Sequence, residues 1–465
     1  MAIATVNPAT GETLKTFDAL NVGEIEERLI RADRAFQDFR RTEFAHRAGL
    51  LHRAADLLEA DQDGIARTMT TEMGKTLASS RAEAAKCVKA MRWYAENAEH
   101  LLADEHPAKE DVEDSGAARA YVRYRPLGTV LAVMPWNFPL WQVVRFAAPA
   151  LMAGNTALLK HASNVPQTAL YLEELFRRAG YPEGVFQTLL VGSDAIEDIL
   201  RDDRVVAATL TGSEPAGRSV ASIAGDEIKK TVLELGGSDP FLVLPSADVS
   251  KAVRTAVTAR VQNAGQSCIA AKRFIVHTDV FDEFAAGFVD RMSALSVGDP
   301  MAEGTDIGPL SSEQGRSDLE ALVDDATRRG ATALCGGKRP AHLQGGWYYE
   351  PTVLTGVTEE MRIHREETFG PVATLYRVDG LDEAVALAND TSFGLSSNAW
   401  TRDAAEQDRL VQDMWAGGIF FNGMTASHPG LPFGGIKRSG YGRELAGHGI
   451  REFCNATTVW FGPEK

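Results

Sequence analysis

Three side chains in this sequence have types and settings that suit nucleophilic catalysis. Cys268 follows a run of small and polar residues, NAGQS, which leaves its thiol open to close approach. A thiolate is a strong nucleophile even when little of it is ionised at neutral pH. Taken alone, a single cysteine is more often a small buried apolar side chain.

Glu234 and Asn137 have the chemistry that such a nucleophile needs beside it. Glu234 opens an ELGG sequence at the end of a predicted strand, and a carboxylate in a low-dielectric cleft can act as a general base. Asn137 lies in PWNFP, residues 135–139, where two prolines stiffen the backbone and could hold an amide as an oxyanion donor. The simpler interpretations are a surface turn for Glu234 and aromatic packing for Asn137.

Other motifs are weaker alone or missing. TGSEPAG, residues 211–217, joins a strand to a helix whose first N–H groups suit a phosphate, although the GxGxxG fingerprint is absent. No HExxH, CxxC or GxSxG occurs, so we expect neither a metal site nor a serine hydrolase. A cysteine hydrolase with His277 or His364 as base stays open, although neither histidine lies in a distinctive motif.

Predicted strands and helices alternate along much of the chain. This alternation is typical of a parallel sheet, which binds ligands at the carboxyl ends of its strands. We expect such a sheet to position the residues named above. The first hundred residues are predicted to be helical. Residues 117–126 and 456–461 predict exposed strands that pair with each other or with another subunit. The remaining predicted strands are 130–133, 157–159, 186–191, 207–210, 231–233, 274–276, 372–376 and 418–421, and the predicted helices are 167–179, 215–224, 249–264, 281–296 and 313–329.

Composition limits the class of protein. A chain of 465 residues is long enough for two or three domains. The net charge of -16 argues against nucleic acid and anionic membranes as partners. Four scattered cysteines indicate free thiols in a reducing compartment. With neither a signal-peptide pattern nor an apolar run of the ~20 residues that span a membrane, we expect a cytoplasmic protein.

Taken together, the motifs resemble those of the aldehyde dehydrogenase superfamily, in the same order and over almost the whole chain. They are PWNFP, the lysine after the next strand, TGS, ELGG, GQSC, E-x-FGP and PFGG. The resemblance implies an α/β fold with a Rossmann-type cofactor domain (1–116 and 131–234) and an α/β catalytic domain (235–432). A β oligomerisation arm (117–130 and 433–465) would assemble a homodimer or homotetramer.

The resemblance also implies a mechanism. Cys268 would form a thiohemiacetal with an aldehyde, while the Asn137 amide and the Cys268 N–H hold the oxyanion. A hydride would leave for the nicotinamide, and Glu234 would activate the water that hydrolyses the thioester. The residues implied at the cofactor are Trp136, Lys160, Ser163, Gly212, Ser213, Glu367 and Phe369.

One residue that differs from the family's usual cofactor motif indicates which cofactor binds. Members that prefer NAD commonly have Lys-Pro-Ser-Glu, whose glutamate repels a 2′-phosphate. This chain has Ser163 at the glutamate position, three residues after Lys160. A hydroxyl and an ammonium can both bind a phosphate. We therefore expect NADP to be preferred, with NAD possible.

Arg145 indicates the substrate. In members that oxidise succinate semialdehyde, an arginine at this position binds the distal carboxylate, for which a guanidinium is suited. Ser427 matches a position where the family offers a hydroxyl to the same carboxylate. The chain departs from the pattern at Gln262, where many members have a second arginine, and at Phe146, where a lysine is common. Ala270 replaces a second cysteine found in several members.

Rival interpretations remain at this level. The substrate could be another small aldehyde, such as glutarate semialdehyde, lactaldehyde or glycolaldehyde. A relative that passes the acyl group to CoA is disfavoured by Glu234, which that route does not need. A non-catalytic binding protein is disfavoured because Cys268, Glu234 and Asn137 are all present.

Overall fold

The fold is described from a computed structural model that covers residues 2–463. The strands are β1 (Ile3–Val6), β2 (Thr13–Phe17), β3 (Arg119–Pro126), β4 (Thr129–Met134), β5 (Thr156–His161), β6 (Phe186–Thr188), β7 (Val205–Thr211), β8 (Lys230–Glu234), β9 (Pro240–Val243), β10 (Arg273–His277), β11 (Thr332–Cys335), β12 (Thr352–Thr355), β13 (Val372–Val378), β14 (Ser397–Trp400), β15 (Ile419–Phe421), β16 (Gly440–Tyr441) and β17 (Cys454–Phe461). The helices are α1 (Val22–Phe39), α2 (Phe44–Ala60), α3 (Gln62–Met73), α4 (Leu77–Leu101), α5 (Lys109–Asp114), α6 (Trp141–Ala153), α7 (Pro166–Arg178), α8 (Ile196–Arg201), α9 (Glu214–Asp226), α10 (Val249–Val261), α11 (Thr278–Ser293), α12 (Glu313–Arg328), α13 (Arg362–Arg365), α14 (Leu381–Asn389), α15 (Ala404–Asp413) and α16 (Ala446–Arg451).

The first large sheet has the order β16-β8-β7-β4-β5-β6 and is parallel except for β16. Its central strands, such as TVLAVM in β4, are almost wholly buried, as expected for a sheet covered on both faces. PWNFP, Lys160, TGS and ELGG lie at the carboxyl ends of β4, β5, β7 and β8. The predicted parallel sheet is therefore confirmed, and it brings four motifs to one edge.

The second large sheet has the order β11-β12-β13-β10-β9-β14-β15 and is parallel except for β11. The helix predicted over 249–264 ends earlier, at Val261. Asn263, Ala264 and Gly265 all have positive φ (54°, 53° and 74°), which a helix cannot accommodate. The chain changes direction at these residues and continues to Cys268.

Two smaller antiparallel strand pairs lie outside the two large sheets. β1 and β2 form an antiparallel hairpin, so the prediction of an all-helical start was wrong for these two short strands. β2 reads TLKTF and is mostly exposed, so it lacks the apolar alternation that would predict a strand. β3 pairs with β17 from Arg119↔Phe461 to Pro126↔Cys454. The two segments of the predicted arm therefore pair with each other, as one of the two alternatives expected.

The domain boundaries differ in detail from those expected. β4 begins at Thr129, so residues 129 and 130 belong to the first sheet and not to the arm. β16 lies inside the segment 433–465 but pairs with β8, through Gly440↔Glu234. The C-terminal segment therefore serves both the arm and the cofactor sheet.

The start of α6 is fixed by a buried carboxylate of α4. Glu83 Oε1 accepts hydrogen bonds from the N–H groups of Leu140 and Trp141, both at 2.8 Å. The other carboxylate oxygen of Glu83 pairs with the buried ammonium of Lys75. Free N–H groups at a helix start favour an anion. Glu83 therefore positions the turn that links PWNFP to α6.

We predict that Glu83→Ala destabilises the fold. The change leaves the Lys75 ammonium buried without its anion, which costs about 3–5 kcal/mol in comparable pairs. The measurement is the midpoint of thermal unfolding, which should fall. The matched control is Glu99→Ala on the exposed face of α4, with an effect within about 0.5 kcal/mol. Equal midpoints for the two variants would contradict the assigned role of Glu83.

Candidate active site

A cavity of about 460 Å³ lies among α4, α6 and α10, and Cys268 forms part of its wall. Arg145 and Ser427, the two predicted substrate ligands, line the same cavity. Its apolar lining includes Phe138, Trp141 and Phe433. The structure thus brings the predicted nucleophile and the predicted carboxylate ligands into one space.

Cys268, the predicted nucleophile, ends a tightly packed segment, residues 263–268, which we call the nucleophile loop. A Cβ atom on Gly237 would lie 2.7 Å from the Cys268 carbonyl oxygen, and one on Gly265 would clash with the Gly370 carbonyl. Only glycine permits these close approaches. Burial raises the pKa of the Cys268 thiol to about 12, with Arg145 and Lys272 opposing the shift. The resting side chain is therefore a neutral thiol at physiological pH.

Asn137 is fixed next to the nucleophile loop. Its Nδ2 donates to the Gln266 carbonyl at 3.1 Å, and its Oδ1 accepts from the Phe138 N–H at 3.1 Å. Its carbonyl accepts from Asn263 Nδ2 at 2.7 Å. A primary amide has two N–H donors, so Asn137 retains one for another acceptor. This arrangement suits the expected oxyanion role.

Glu234 is 2 % exposed and lies beside Gly434, the residue that follows Phe433 of the cavity wall. Among residues 2–463, neither oxygen of its carboxylate has a hydrogen-bond partner. Burial, reinforced by the nearby Glu444 carboxylate, raises the pKa of Glu234 well above its usual range. The surroundings therefore favour the neutral acid over the carboxylate, and the carboxylate is the form that could act as a base.

Arg145 is 2 % exposed, and its charge is already matched within the protein. Its Nε pairs with the Glu444 carboxylate, and its Nη2 donates to Thr211 Oγ1 at 3.2 Å. The guanidinium also lies 4.8 Å from the ring centre of Phe433. The sequence analysis did not identify Glu444, which reaches the site because its backbone pairs with that of Phe433.

Glu367, the expected ligand of the nicotinamide ribose, lies against the ELGG segment. Its Oε1 accepts from the Gly237 N–H at 3.0 Å and lies 3.3 Å from the ammonium of Lys272. The rings of Trp136 and Phe369, two further residues expected at the cofactor, meet edge to face with centres 5.8 Å apart. Lys272 is a second functional candidate that the sequence analysis missed.

The residues expected at the adenosine end lie along the carboxyl edge of the first sheet. Lys160 is at the end of β5, and among the described residues no carboxylate pairs with its ammonium. Ser213 is the N-cap of α9, yet its hydroxyl makes no capping bond within the chain. Gly212 precedes it, and its N–H donates to the Glu234 carbonyl at 3.0 Å. A free ammonium and a free N-cap hydroxyl fit the phosphates of a dinucleotide.

The two histidines considered as bases are engaged elsewhere. His277 caps α11, and His364 contacts Tyr376 and Asp390. Neither lines the cavity of Cys268, so a cysteine–histidine pair is not formed. Across residues 2–463 there is no cluster of three or more side chains that could hold a metal ion. Within the same residues, no helix has the length and apolar character of a membrane span.

Lys86 is a third cavity residue that the sequence analysis missed. It projects from α4, and its ammonium donates to Ser427 Oγ at 2.6 Å and lies 4.1 Å from the ring centre of Trp141. The signal in the sequence is weak, because a lysine on a long helix is usually a solvated side chain. Only the packing of α4 against α6 reveals its place.

Comparison with known proteins agrees with this geometry. The chain is 64% identical over 467 residues to a Mycobacterium avium protein named succinate-semialdehyde dehydrogenase (NADP+), covering 100% of this chain and 98% of that one. It is 64% identical over 460 residues to a Mycobacterium tuberculosis protein named succinate-semialdehyde dehydrogenase (NADP+) 1, covering 99% and 100%.

A solved structure and a family profile also resemble the chain over nearly its whole length. A succinic semialdehyde dehydrogenase from Streptococcus pyogenes, crystallised with NADP+ as the cofactor, superposes with a TM-score of 0.95 at 35% identity and covers 99% of this chain and 100% of its own. The sequence profile of the aldehyde dehydrogenase family matches residues 1–459. The chain therefore belongs to the aldehyde dehydrogenase family.

Proposed function

We propose that the protein oxidises succinate semialdehyde to succinate with NADP. The observation that carries the proposal is the cavity whose wall holds the Cys268 thiol, the Lys86 ammonium with its Ser427 partner, and Arg145, which is paired with Glu444. A short aldehyde with a carboxylate at its far end matches both ends of this space. The names of the 64%-identical relatives support the same substrate and cofactor.

The side chains divide the reaction between them. The thiolate of Cys268, formed when the thiol loses its proton to solvent, attacks the aldehyde carbon, and the free N–H of Asn137 stabilises the oxyanion that forms. A nicotinamide held by Glu367, Trp136 and Phe369 would supply the hydride acceptor, and Cys268 would then carry the acyl group as a thioester. The carboxylate form of Glu234 takes a proton from the water that attacks the thioester and returns it to the departing Cys268 sulfur. The new carboxyl group loses its own proton to solvent, so that succinate and the thiol are released.

NADP fits the free groups at the adenosine end. Lys160 and Ser163 offer an ammonium and a hydroxyl to a 2′-phosphate, and burial lowers the pKa of Lys160 so that a bound anion would favour its charged form. Ser213 would hold the pyrophosphate at the start of α9. Glu367 would orient the nicotinamide ribose, with Trp136 and Phe369 as further contacts of the cofactor.

We also propose a cytoplasmic homodimer or homotetramer. All four cysteines are free thiols, which suits a reducing compartment. On the arm, Trp460 and Phe461 are 51% and 40% exposed, as expected of apolar side chains that another subunit covers.

Replacing the base should separate the two half-reactions. In Glu234→Gln, acylation proceeds but hydrolysis of the thioester slows, because the amide cannot take the proton. We expect a burst of about one NADPH per subunit, followed by a steady rate reduced about 10²- to 10⁴-fold. The measurement is stopped-flow absorbance of NADPH. Cys268→Ala is the control and should give no burst, whereas an unchanged steady rate in Glu234→Gln would contradict the assignment.

The activity should rise with pH. The reactive forms are the thiolate of Cys268, whose pKa is raised to about 12, and the carboxylate of Glu234, whose pKa is also raised. Both forms become more abundant as pH increases, so we expect kcat/KM to increase from about pH 6 to about pH 9. The measurement is initial rate against pH with saturating NADP. A profile that falls across this range would contradict the two raised pKa values.

The cofactor preference should depend on Ser163. We expect kcat/KM with NADP to exceed that with NAD by at least about tenfold, a difference of about 1.4 kcal/mol. Ser163→Glu should reverse the preference, because its carboxylate repels the 2′-phosphate. The measurement is a kinetic comparison of both cofactors, and Ser163→Ala is the control that removes the hydroxyl without adding a charge. A wild-type preference for NAD would overturn the assignment.

A further inference from the structure

Three cations line the cavity, in different electrostatic settings. Lys75 is paired with Glu83 and Arg145 with Glu444, so each of these charges has a partner within the protein. Lys86 has only a hydroxyl and an aromatic face as partners, and within residues 2–463 no carboxylate forms an ion pair with it. The uncompensated positive charge at this end of the cavity therefore belongs to Lys86.

The acidic side chain nearest in sequence cannot neutralise Lys86. Glu83 lies one helical turn earlier on α4, but its carboxylate is used by the Lys75 ammonium and by two N–H groups at the start of α6. Gln262, which lines the cavity where many family members have a second arginine, is neutral. Residue 262 therefore contributes no positive charge to the cavity wall. Lys86 contributes a positive charge to the same cavity from α4.

From this arrangement we infer that Lys86, together with Ser427, binds the distal carboxylate of the substrate and sets the preference for a semialdehyde acid over a neutral aldehyde. The inference rests on the proposed function. An ammonium has three N–H donors, and the Ser427 hydroxyl takes one, so two remain for a carboxylate. Ser427 Oγ, 2.6 Å from the ammonium, can donate its own proton to the same anion.

The surroundings of Lys86 favour its pairing with the carboxylate of the substrate. Burial and the neighbouring Arg145 lower the pKa of Lys86 to about 8, while Cys87, Glu83 and Cys268 act in the opposite direction. A cation in a partly apolar wall gains from an incoming anion, because it regains the stabilisation that it lost with its water. The ring of Trp141 packs against the ammonium, and both side chains line the cavity.

The test compares two substrates of equal length. Succinate semialdehyde ends in a carboxylate, and butanal ends in a methyl group. In Lys86→Met, which keeps an unbranched side chain one atom shorter and removes its charge, we expect the ratio of kcat/KM for succinate semialdehyde to that for butanal to fall about 10- to 100-fold, mainly through KM. Lys86→Arg should restore most of the ratio, and Ser427→Ala should lower it by a smaller factor.

The control is Lys89→Met, an exposed lysine on the same helix, for which we expect the wild-type ratio. Inhibition of butanal oxidation by succinate is a second readout, and it should weaken in Lys86→Met. An unchanged ratio in Lys86→Met would overturn the role of Lys86 and leave the proposed function intact. A wild-type enzyme that does not prefer succinate semialdehyde to butanal would overturn the proposed function and the inference together.

Discussion

The buried ammonium of Lys272 connects the nucleophile to the cofactor side of the site. It donates to the carbonyl oxygens of Ser267 and Cys268, at 3.0 and 2.7 Å, and lies 3.3 Å from the Glu367 carboxylate. Burial lowers the pKa of Lys272, and the Glu367 carboxylate opposes this effect. Because one cation contacts both groups, a shift of the nucleophile loop also shifts the carboxylate expected to orient the cofactor.

The same low dielectric that strengthens this contact favours the neutral forms of the thiol and the carboxyl proposed to react. The Cys268 thiol and the Glu234 carboxyl both have raised pKa values because they are buried. Arg145 and Glu444 pair with each other, so neither is left without a partner in the site. A centre built in this way avoids the cost of isolated buried ions.

Sequence alone predicted the parts of the site that depend on local backbone rules. The motifs at Asn137, Glu234 and Cys268 follow predicted strands or a predicted helix, and parallel strands bring their carboxyl ends to one edge. The predicted strands of the first sheet therefore indicated which loops would meet. The family resemblance, carried by the same motifs, supplied the roles that remain to be tested.

The parts that could not be predicted depend on packing between distant segments. Lys86 looks like a surface lysine of a long helix until α4 is seen against α6, and Glu444 reaches Arg145 only because the chain pairs with Phe433. The end of α10 was placed too late, because alanine at residue 264 gives no warning of a positive φ. The hairpin of β1 and β2 was missed because its second strand is polar and exposed.

The pairing of β16 with β8 has a consequence for how the protein is made. Residues 440 and 441 join the strand that ends at Glu234, and Glu444 follows them. A ribosome releases the chain from its N-terminus, so the first sheet lacks this edge strand until residues 440 and 441 have emerged. Contacts of such long sequence separation form slowly and leave strands exposed meanwhile. The open edge of β8 therefore stays unpaired while residues 235–439 are synthesised, and the nascent chain is exposed to aggregation through that edge during this interval.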